Sequence, residues 1–459
     1  MSGNNSAFTA QTKLWRWSEL TEALNLRSVD GPSVSRVITD SRQVQPGDLF
    51  IALKGDPGPR FNAGYRSSVD GHDFIGAARE AGAVGCLSMR AVADMPTLQV
   101  EDTYDGLWQL GRKASQRHSG WRVGLTGSSG KTTAKTFLEA ATGAYASPGS
   151  FNNYLGVPLS LANCAAERDG AVFEIGTNHP GEIEPLAEMV SPHVALLLNV
   201  HHAHRENFPT QSDLYKEKTS IFNALIDKDK AVSEESLGLD YGSTFGTSAA
   251  ADARLVELED ERMRVNVDGR RLLARVPGGG EHRAMSLLAC LLVIARLERP
   301  LDAACELPAE LIPAGRGNRI AVGGCVITDD SYNANPQSMQ AAIKAFASNS
   351  ERPKTFVLGE MLELGELGLQ AALDIATLTA ELVAKDSRHR VIFVGQGMRA
   401  AANSIDAPWF PEADQATLDA VTQSLAKDSE ILIKGSNRVF WRNGFVAALK
   451  GEIESLFHV

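Results

Sequence analysis

The sequence predicts an α/β protein of three domains, and three observations lead there. The chain has 459 residues, about three times the ~150 residues of an average domain. Short apolar runs alternate with helical segments along most of it, the pattern of parallel sheets covered by helices. A Gly-rich turn, Gly124-Leu125-Thr126-Gly127-Ser128-Ser129-Gly130-Lys131-Thr132-Thr133, separates a predicted strand at 122–126 from a predicted helix at 132–142, which is how a central P-loop ATPase-like domain with a parallel sheet opens.

Composition supports a packed multidomain chain: 43% of residues are hydrophobic and 22% charged, close to ordinary globular usage. The net charge of −11 argues against general attraction to nucleic acid, so any anionic ligand must be held by local donors. Cys86, Cys164, Cys290, Cys305 and Cys325 show no CxxC pair and no regular spacing, which predicts buried or free thiols in a reducing compartment and neither zinc nor a disulfide framework. Residues 1–11 are polar and the longest plainly apolar run, 287–295, is too short to cross a bilayer. A cytoplasmic protein with no membrane insertion is expected.

In order along the chain, residues 1–102 form the first predicted domain, with apolar runs at 49–53 and 84–87 and a helix at 74–81 stopped by Gly82. Between them, 55–71 is rich in Gly, Pro and Ser and reads as a long surface loop. Residues 103–316 form the second, with a helix at 104–118, the loop described above, and apolar runs at 171–175 and 194–200 that end in polar residues, in an alternation continuing to about residue 316. Residues 317–459 form a Rossmann-like third domain, with strands at 325–328, 355–358, 391–394 and 431–433, each followed by a helix.

The phosphate-binding reading of the loop rests on small residues that let backbone N–H groups approach an anion at a helix N-terminus. Lys131 would neutralise the outer phosphates and Thr132 could ligate Mg²⁺. Leu125 stands where the generic GxxxxGK[ST] spacing needs glycine, so a capped Gly-rich turn is the competing reading. Glu174 ends a buried strand, where a metal partner would offset its burial; a helix cap would do so too. His201, His202 and His204 invite zinc, but with no Cys nearby and no HExxH spacing a single His serving Mg²⁺ or phosphate is the better reading, with the others solvated.

Lys218 shares a helical stripe with Leu214, Ile221, Phe222 and Leu225, whereas Lys216 lies on the opposite side. A lysine held inward has a depressed pKa and can capture CO₂ as a carbamate, an oxygen ligand for Mg²⁺; a snorkelling lysine with a solvated head is the alternative. The stretch Asp329-Asp330-Ser331-Tyr332-Asn333-Ala334-Asn335-Pro336 suits a ribose or base edge, or equally an Asx-rich cap with Pro336 in the first helical turn.

These segments together resemble the Mur ligase family over nearly the whole chain, most closely its member that adds D-alanyl-D-alanine to UDP-N-acetylmuramoyl-tripeptide. The loop matches the family's shorter TGxxGKTT form, which accounts for Leu125. Thr39-Asp40-Ser41-Arg42, Pro46-Gly47-Asp48-Leu49-Phe50 and Asp70-Gly71-His72-Asp73-Phe74 are similar to the family's UDP-binding domain, although 55–69 is longer than usual. Asn152-Asn153-Tyr154-Leu155-Gly156-Val157-Pro158-Leu159 and Glu174-Ile175-Gly176-Thr177-Asn178-His179-Pro180-Gly181-Glu182-Ile183 are similar to stretches diagnostic for that member. The segments 358–366 and Lys434-Gly435-Ser436 look like the domain that receives the incoming amine.

The resemblance implies an ATP-dependent ligase of peptidoglycan precursor synthesis that works through an acyl phosphate, acts as a monomer and takes UDP-N-acetylmuramoyl-tripeptide and D-alanyl-D-alanine. It implies catalytic roles for Lys131, Glu174, His204, Lys218 and Arg316. ATP would contact Gly127, Ser128, Ser129, Gly130, Lys131, Thr132, Thr133, Asn199, Asp330, Asn333 and Asn335; the UDP-peptide would contact Ser41, Arg42, Asn152, Asn153 and Asn178. Thr132 and Glu174 would hold Mg²⁺, His204 a second Mg²⁺, and carbamylated Lys218 would be a further metal ligand.

The chain also departs from the family pattern. His201-His202 replace a usual Gly-Pro, His282-Arg283 replaces a usual His-Asn, and 436–443 lacks the usual acid. Arg283 bears most directly on the adenine contact, because Arg cannot accept a hydrogen bond as Asn can. No residue is assigned as general base for the amine. The rival readings are another Mur-family or folylpolyglutamate-like ligase, a non-catalytic P-loop protein, and a small-molecule kinase.

Overall fold

The computed structural model describes residues 13–58, 69–201, 207–348, 351–362 and 364–457. His202, His204, the polar N-terminal residues and most of the expected 55–71 loop lie outside the described residues. The architecture is α/β, with mostly parallel sheets and helices between strands.

Two compact units divide the chain, one drawn from residues 1–126, 142–196 and 219–231, the other from 127–141, 197–218 and 232–459. In the first unit, β1 (Arg36–Ile38), β2 (Asp48–Ile51), β3 (Gly85–Ser88) and β4 (Thr97–Gln99) form a wholly parallel sheet in that order. Phe50, Ala52, Ile75, Ala78 and Cys86 make one of its cores. The expected 74–81 helix is Ile75–Glu80, preceded by the 3-10 turn Gly71–Phe74, because the Asp70 carboxylate accepts from the backbone N–H of His72 at 2.9 Å and caps that turn.

The same unit holds β5 (Trp121–Thr126), β6 (Tyr145–Ala146), β7 (Gly170–Glu174) and nearly all of β8 (Val194–Leu197), with β5 and β6 each pairing parallel to β7. All residues of β7 and β8 are buried, as continuous apolar runs require of central parallel strands. The helix Thr103–Arg117 is capped by Asp102, which accepts from the N–H groups of Tyr104 and Asp105.

In the second unit the expected βα alternation up to residue 316 gives way to strands. β9 (Ala231–Glu234), β10 (Ser243–Gly246) and β11 (Ala253–Glu259) pair parallel, and β11, β12 (Arg262–Val267) and β13 (Arg270–Arg275) then form an antiparallel meander. Its turns are Asp260-Glu261 and Asp268-Gly269, with φ of 49° at Asp260, 48° at Asp268 and 82° at Gly269, the left-handed geometry that twists a tight hairpin correctly. The apolar run 287–295 is the interior of the helix Glu281–Arg296, buried from Ser286 to Ile294.

The last sheet contains β14 (Asn318–Val322), β15 (Cys325–Asp330), β16 (Lys354–Gly359), β17 (Arg390–Val394), β18 (Trp409–Phe410) and β19 (Glu430–Lys434), in the order β14-β15-β19-β16-β17-β18. Only β14 runs antiparallel to its neighbour. The four strands expected in this domain are all present; β14 and β18 were not foreseen. Apolar cores cover both faces, one around Ile343, Phe356 and Ile375, the other around Ile327, Val357 and Leu449. The stretch Gly365–Lys385 is long and apolar enough to cross a membrane by length and composition, and Ala371, Ala372, Ile375 and Ala376 of its helix are buried in the first of these cores.

Candidate active site

The loop between β5 and the helix Lys131–Thr142 takes its shape from a few local bonds. Gly130 has φ +80°, a left-handed turn suited to glycine, and the helix Lys131–Thr142 begins at the next residue. Asn199, two residues beyond β8, clamps the loop: its Oδ1 accepts from the N–H of Ser129 at 2.9 Å and its carbonyl from the N–H of Ser128 at 3.1 Å. The N–H of His201 donates to the Ser128 hydroxyl at 2.9 Å, and the Lys131 ammonium donates to the Gly127 carbonyl at 2.7 Å. Asn199, expected as a nucleotide contact, is thus placed as the residue that shapes the loop.

Lys218 closes the helix Gln211–Thr219 and is 1% exposed, while Lys216 is exposed, as the helical stripe predicts. The stripe itself changes pitch, because Ile221 and Phe222 belong to the 3-10 turn Ser220–Ala224. Burial, reinforced by the positive charge of Lys131, pushes the Lys218 pKa well below the usual lysine range, with Glu217 opposing. Burial therefore favours the neutral amine over the ammonium at this position.

In the first unit, Glu174 ends β7 and is 1% exposed. Its Oε1 accepts from the Asn152 amide at 2.8 Å, and the Asn152 carbonyl accepts from the N–H of Gly176 at 2.7 Å. Asn153 turns its Oδ1 to the N–H groups of Leu155 and Gly156 and so starts the helix Gly156–Ala162. Asn178 is exposed, and its N–H donates to Glu182 at 2.6 Å. Arg42 is exposed and forms a fork with Asp40, at 2.9 and 2.8 Å, on the 3-10 turn Ser41–Gln43.

In the second unit, Gly315 and Gly317 flank Arg316 with φ of +71° and +87°. The Arg316 guanidinium lies 4.4 Å from the centre of the Tyr332 ring. Arg283, the departure expected to affect the adenine contact, is spent on the backbone: it donates to the carbonyls of Gly278, Gly279, Arg316 and Gly317 at 2.9, 3.1, 3.0 and 3.4 Å. A Cβ at Gly317 would sit 2.2 Å from its Nη2 and would displace the guanidinium, and the backbone angle itself favours glycine.

Asp330, at the C-terminal end of β15, accepts from the Lys434 ammonium at 2.8 Å; that ammonium also reaches the Asn333 carbonyl at 3.1 Å. The cap reading holds for Asn335, whose Oδ1 accepts from the N–H of Ser338 at 2.8 Å at the start of the helix Pro336–Ser348. The Ser436 hydroxyl accepts from the N–H of Leu362 at 2.8 Å, and its N–H donates to the Glu360 carbonyl at 3.0 Å, stitching together the two stretches singled out for the incoming amine. Sequence reasoning missed the clamp by Asn199, the four-carbonyl grip of Arg283 and the Lys434–Asp330 pair. Among the described residues no cluster of three or more His, Cys, Asp and Glu side chains is gathered, and all five cysteines are buried and unpaired.

A phosphate-binding loop ahead of a helix, with a buried lysine near its loop lysine and polar groups at the edge of a parallel sheet, defines a P-loop nucleotide-binding α/β protein. The chain belongs to the Mur ligase family: residues 125–294 match the Mur ligase middle domain and 315–437 the Mur ligase, glutamate ligase domain. The UDP-N-acetylmuramoyl-tripeptide--D-alanyl-D-alanine ligase of Treponema pallidum is 30% identical over 456 residues, 92% of this chain and 94% of the relative. That of Escherichia coli is 32% identical over 382 residues, 76% and 79% of the two chains. Among solved structures, MurF from Acinetobacter baumannii superposes with a TM-score of 0.78 at 26% identity, covering 96% of this chain and all of the other. MurF from Thermotoga maritima in complex with ADP gives 0.73 at 26% identity, covering 92% and 98%.

Proposed function

We propose that this chain is an ATP-dependent ligase that joins D-alanyl-D-alanine to UDP-N-acetylmuramoyl-tripeptide in peptidoglycan precursor synthesis. The observation that carries the reading is the fully buried Lys218 on the same compact unit as the phosphate loop, with its amine influenced by Lys131. A buried lysine whose neutral amine is favoured is the form that can capture CO₂ as a carbamate. The relatives of T. pallidum and E. coli carry this activity in their names, and one similar MurF was solved with ADP.

The tripeptide carboxylate attacks the γ-phosphorus of ATP, ADP leaves, and an acyl phosphate forms. The amine of the dipeptide then attacks the acyl carbon, the C–O bond to phosphate breaks, and phosphate and a proton are released. The loop N–H groups, shaped by Asn199, and Lys131 hold the phosphates, and Arg316 adds positive charge as the transferring group spreads its own. Asp330 with Lys434 lies at the edge assigned to the nucleoside.

Glu174 and Thr132 offer hard oxygen donors, and a carboxylate this buried fits a divalent cation. One Mg²⁺ would be held by Thr132 and Glu174 and a second by His204, with carbamylated Lys218 as a further oxygen ligand, and the ions would neutralise phosphate charge. Residues 1–102 would take the UDP group with Ser41 and Arg42, 103–316 ATP, and 317–459 the amine, with Asn152, Asn153 and Asn178 near the peptide. The protein would act as a cytoplasmic monomer.

The test is phosphate release with ATP, Mg²⁺ and both substrates, each omitted in turn, for the protein and Lys218→Ala. Release that needs both substrates, a product heavier by the dipeptide, and a sharp loss in the variant support the ligase. Phosphate formed without the dipeptide, or no pentapeptide, overturns it.

A further inference from the structure

Arg316, whose charge is set against the transferring phosphate above, stands between two glycines, and hydrogen bonds pin its backbone on both sides. Its own N–H donates to the Pro313 carbonyl at 3.1 Å, the Gly315 N–H to the Asn318 Oδ1 at 3.0 Å, and the Gly317 N–H to the Asp329 carbonyl at 2.6 Å. The Gly315 carbonyl accepts from the N–H of Tyr332 at 3.0 Å. The backbone is thus tied to the end of β15, but a guanidinium at the tip of a long, rotamer-rich side chain is not oriented by backbone bonds alone.

Aromatic rings supply the orientation. The Arg316 guanidinium lies over the Tyr332 ring, 4.4 Å from its centre, and Tyr332 meets Trp441 edge to face, with ring centres 5.3 Å apart and planes at 67°. A Cβ at Gly315 would come within 2.7 Å of two indole carbons of Trp441 and 2.9 Å of the Tyr332 Cβ. The indole therefore closes both on the glycine beside Arg316 and on the ring that carries its guanidinium. The fold brings the three residues together because β15 and β19 pair parallel, with Asp330 opposite Lys434; Tyr332 follows the first strand and Trp441 lies in the turns after the second. A ring face steadies a guanidinium differently from a carboxylate: it takes the flat side and leaves the charge and the in-plane N–H fork for a phosphate.

Trp441 is 38% exposed, so its indole is not spent wholly on the core of the last sheet. It also falls within 436–443, the stretch that departs from the family pattern. We propose that Trp441 is a positioning residue for phosphoryl transfer, which through Tyr332 and Gly315 holds Arg316 in the orientation that meets the charge developing on the γ-phosphate. It acts through Arg316 and not on substrate. The inference rests on the ligase reading above.

The test is steady-state phosphate release and pentapeptide formation by the full chain and by Trp441→Leu, Trp441→Phe, Arg316→Lys and the double variant Trp441→Leu/Arg316→Lys, each with its Tm measured. Trp441→Leu lowers kcat roughly 10- to 100-fold, the loss that follows when a charge is displaced from the transition state. KM for ATP, the UDP-tripeptide and the dipeptide moves little, as expected of an interaction realised in the transition state. Trp441→Phe keeps a ring against Tyr332 and restores most of the activity. The decisive reading is the coupling between the two sites. A lysine ammonium is a compact point charge with no plane for a ring to set, so in Arg316→Lys the further loss from Trp441→Leu shrinks to about 2-fold or less. A tryptophan that only stabilises the fold would cost the same in both backgrounds. If Trp441→Leu does not fold, Tyr332→Leu, which removes the ring under the guanidinium, takes its place in the cycle. Full kcat in Trp441→Leu, or an equal loss with arginine and with lysine at 316, overturns the inference and leaves the ligase reading standing. If the unaltered protein forms no pentapeptide, the ligase reading fails and takes the inference with it.

Discussion

The Asn199 side chain holds the phosphate loop by its Ser129 backbone, N–H to Oδ1 at 2.9 Å, and returns an amide N–H to the Ser129 carbonyl at 3.3 Å. This reciprocal pair ties the residue beyond β8 to the loop that follows β5, so the loop's shape is set by bonds within the protein. Preorganisation of this kind lowers the cost of binding an anion.

Asn199→Ala removes the pair without touching any phosphate-facing side chain. We expect kcat/KM for ATP to fall about 10-fold, the scale of one or two hydrogen bonds, with KM for the other substrates little changed. Asn199→Asp keeps the acceptor but adds negative charge beside the phosphates and should be worse still. Steady-state kinetics with ATP varied checks both; an unchanged kcat/KM for ATP in Asn199→Ala would deny the loop-shaping role.

The grip of Arg283 predicts a structural effect. Its Nη2 reaches the Arg316 carbonyl, 33 residues further on, and Arg283→Asn leaves carbonyls that are buried or half-buried without their donor. The expected cost is on the order of 1–3 kcal/mol, read as a lower Tm, and Gly317→Ala should also lower Tm because it places a Cβ on a left-handed backbone and displaces the guanidinium. If Arg283→Asn melts with the parent and changes only KM for ATP, Arg283 is a nucleotide contact instead.

How much of this was legible in the sequence depends on the range of the interaction. The loop, the strand-end Glu174 and the inward Lys218 are written in short patterns, and each lies where its local pattern puts it. The partners of Arg283 and the Lys434–Asp330 pair, 104 residues apart, leave no local trace, because a long side chain reaching a backbone carbonyl selects no residue type at the acceptor. The β11–β13 meander was legible: Arg262-Met263-Arg264-Val265-Asn266-Val267 alternates strictly and runs into Asp268-Gly269, a strong hairpin signal. It contains no continuous apolar run, since a strand with one solvated face has none.

Lys218 predicts a pH dependence of stability. Its folded pKa lies well below its unfolded value, so between the two the unfolded chain binds more protons and stability rises with pH. Relative to Lys218→Met, the parent should lose stability as pH falls from about 10, near the unfolded lysine pKa, toward the folded one. Denaturant melts of both proteins, free of nucleotide, metal and CO₂, at pH 7 to 10 check this. A constant difference across the range would mean that the amine stays charged when buried.

The last prediction concerns the Asn152 amide at 2.8 Å from Glu174. A buried carboxylate that ligates a cation is held in orientation by such a donor, and loss of an orienting partner commonly weakens metal affinity 10–100-fold. Asn152→Ala should therefore raise the Mg²⁺ concentration for half-maximal activity by about that factor, with activity recovering at high Mg²⁺. Asn152→Asp, which sets a second carboxylate against the first, either repels it or adds a ligand, and so must shift the Mg²⁺ dependence in one direction or the other. A peptide-contact role for Asn152 predicts something different: KM for the UDP-tripeptide rises in both variants and the Mg²⁺ titration stays where it was. Varying Mg²⁺ and the UDP-tripeptide independently separates the two roles, and a fixed Mg²⁺ midpoint in both variants would remove Glu174 from the cation site that its burial suggests.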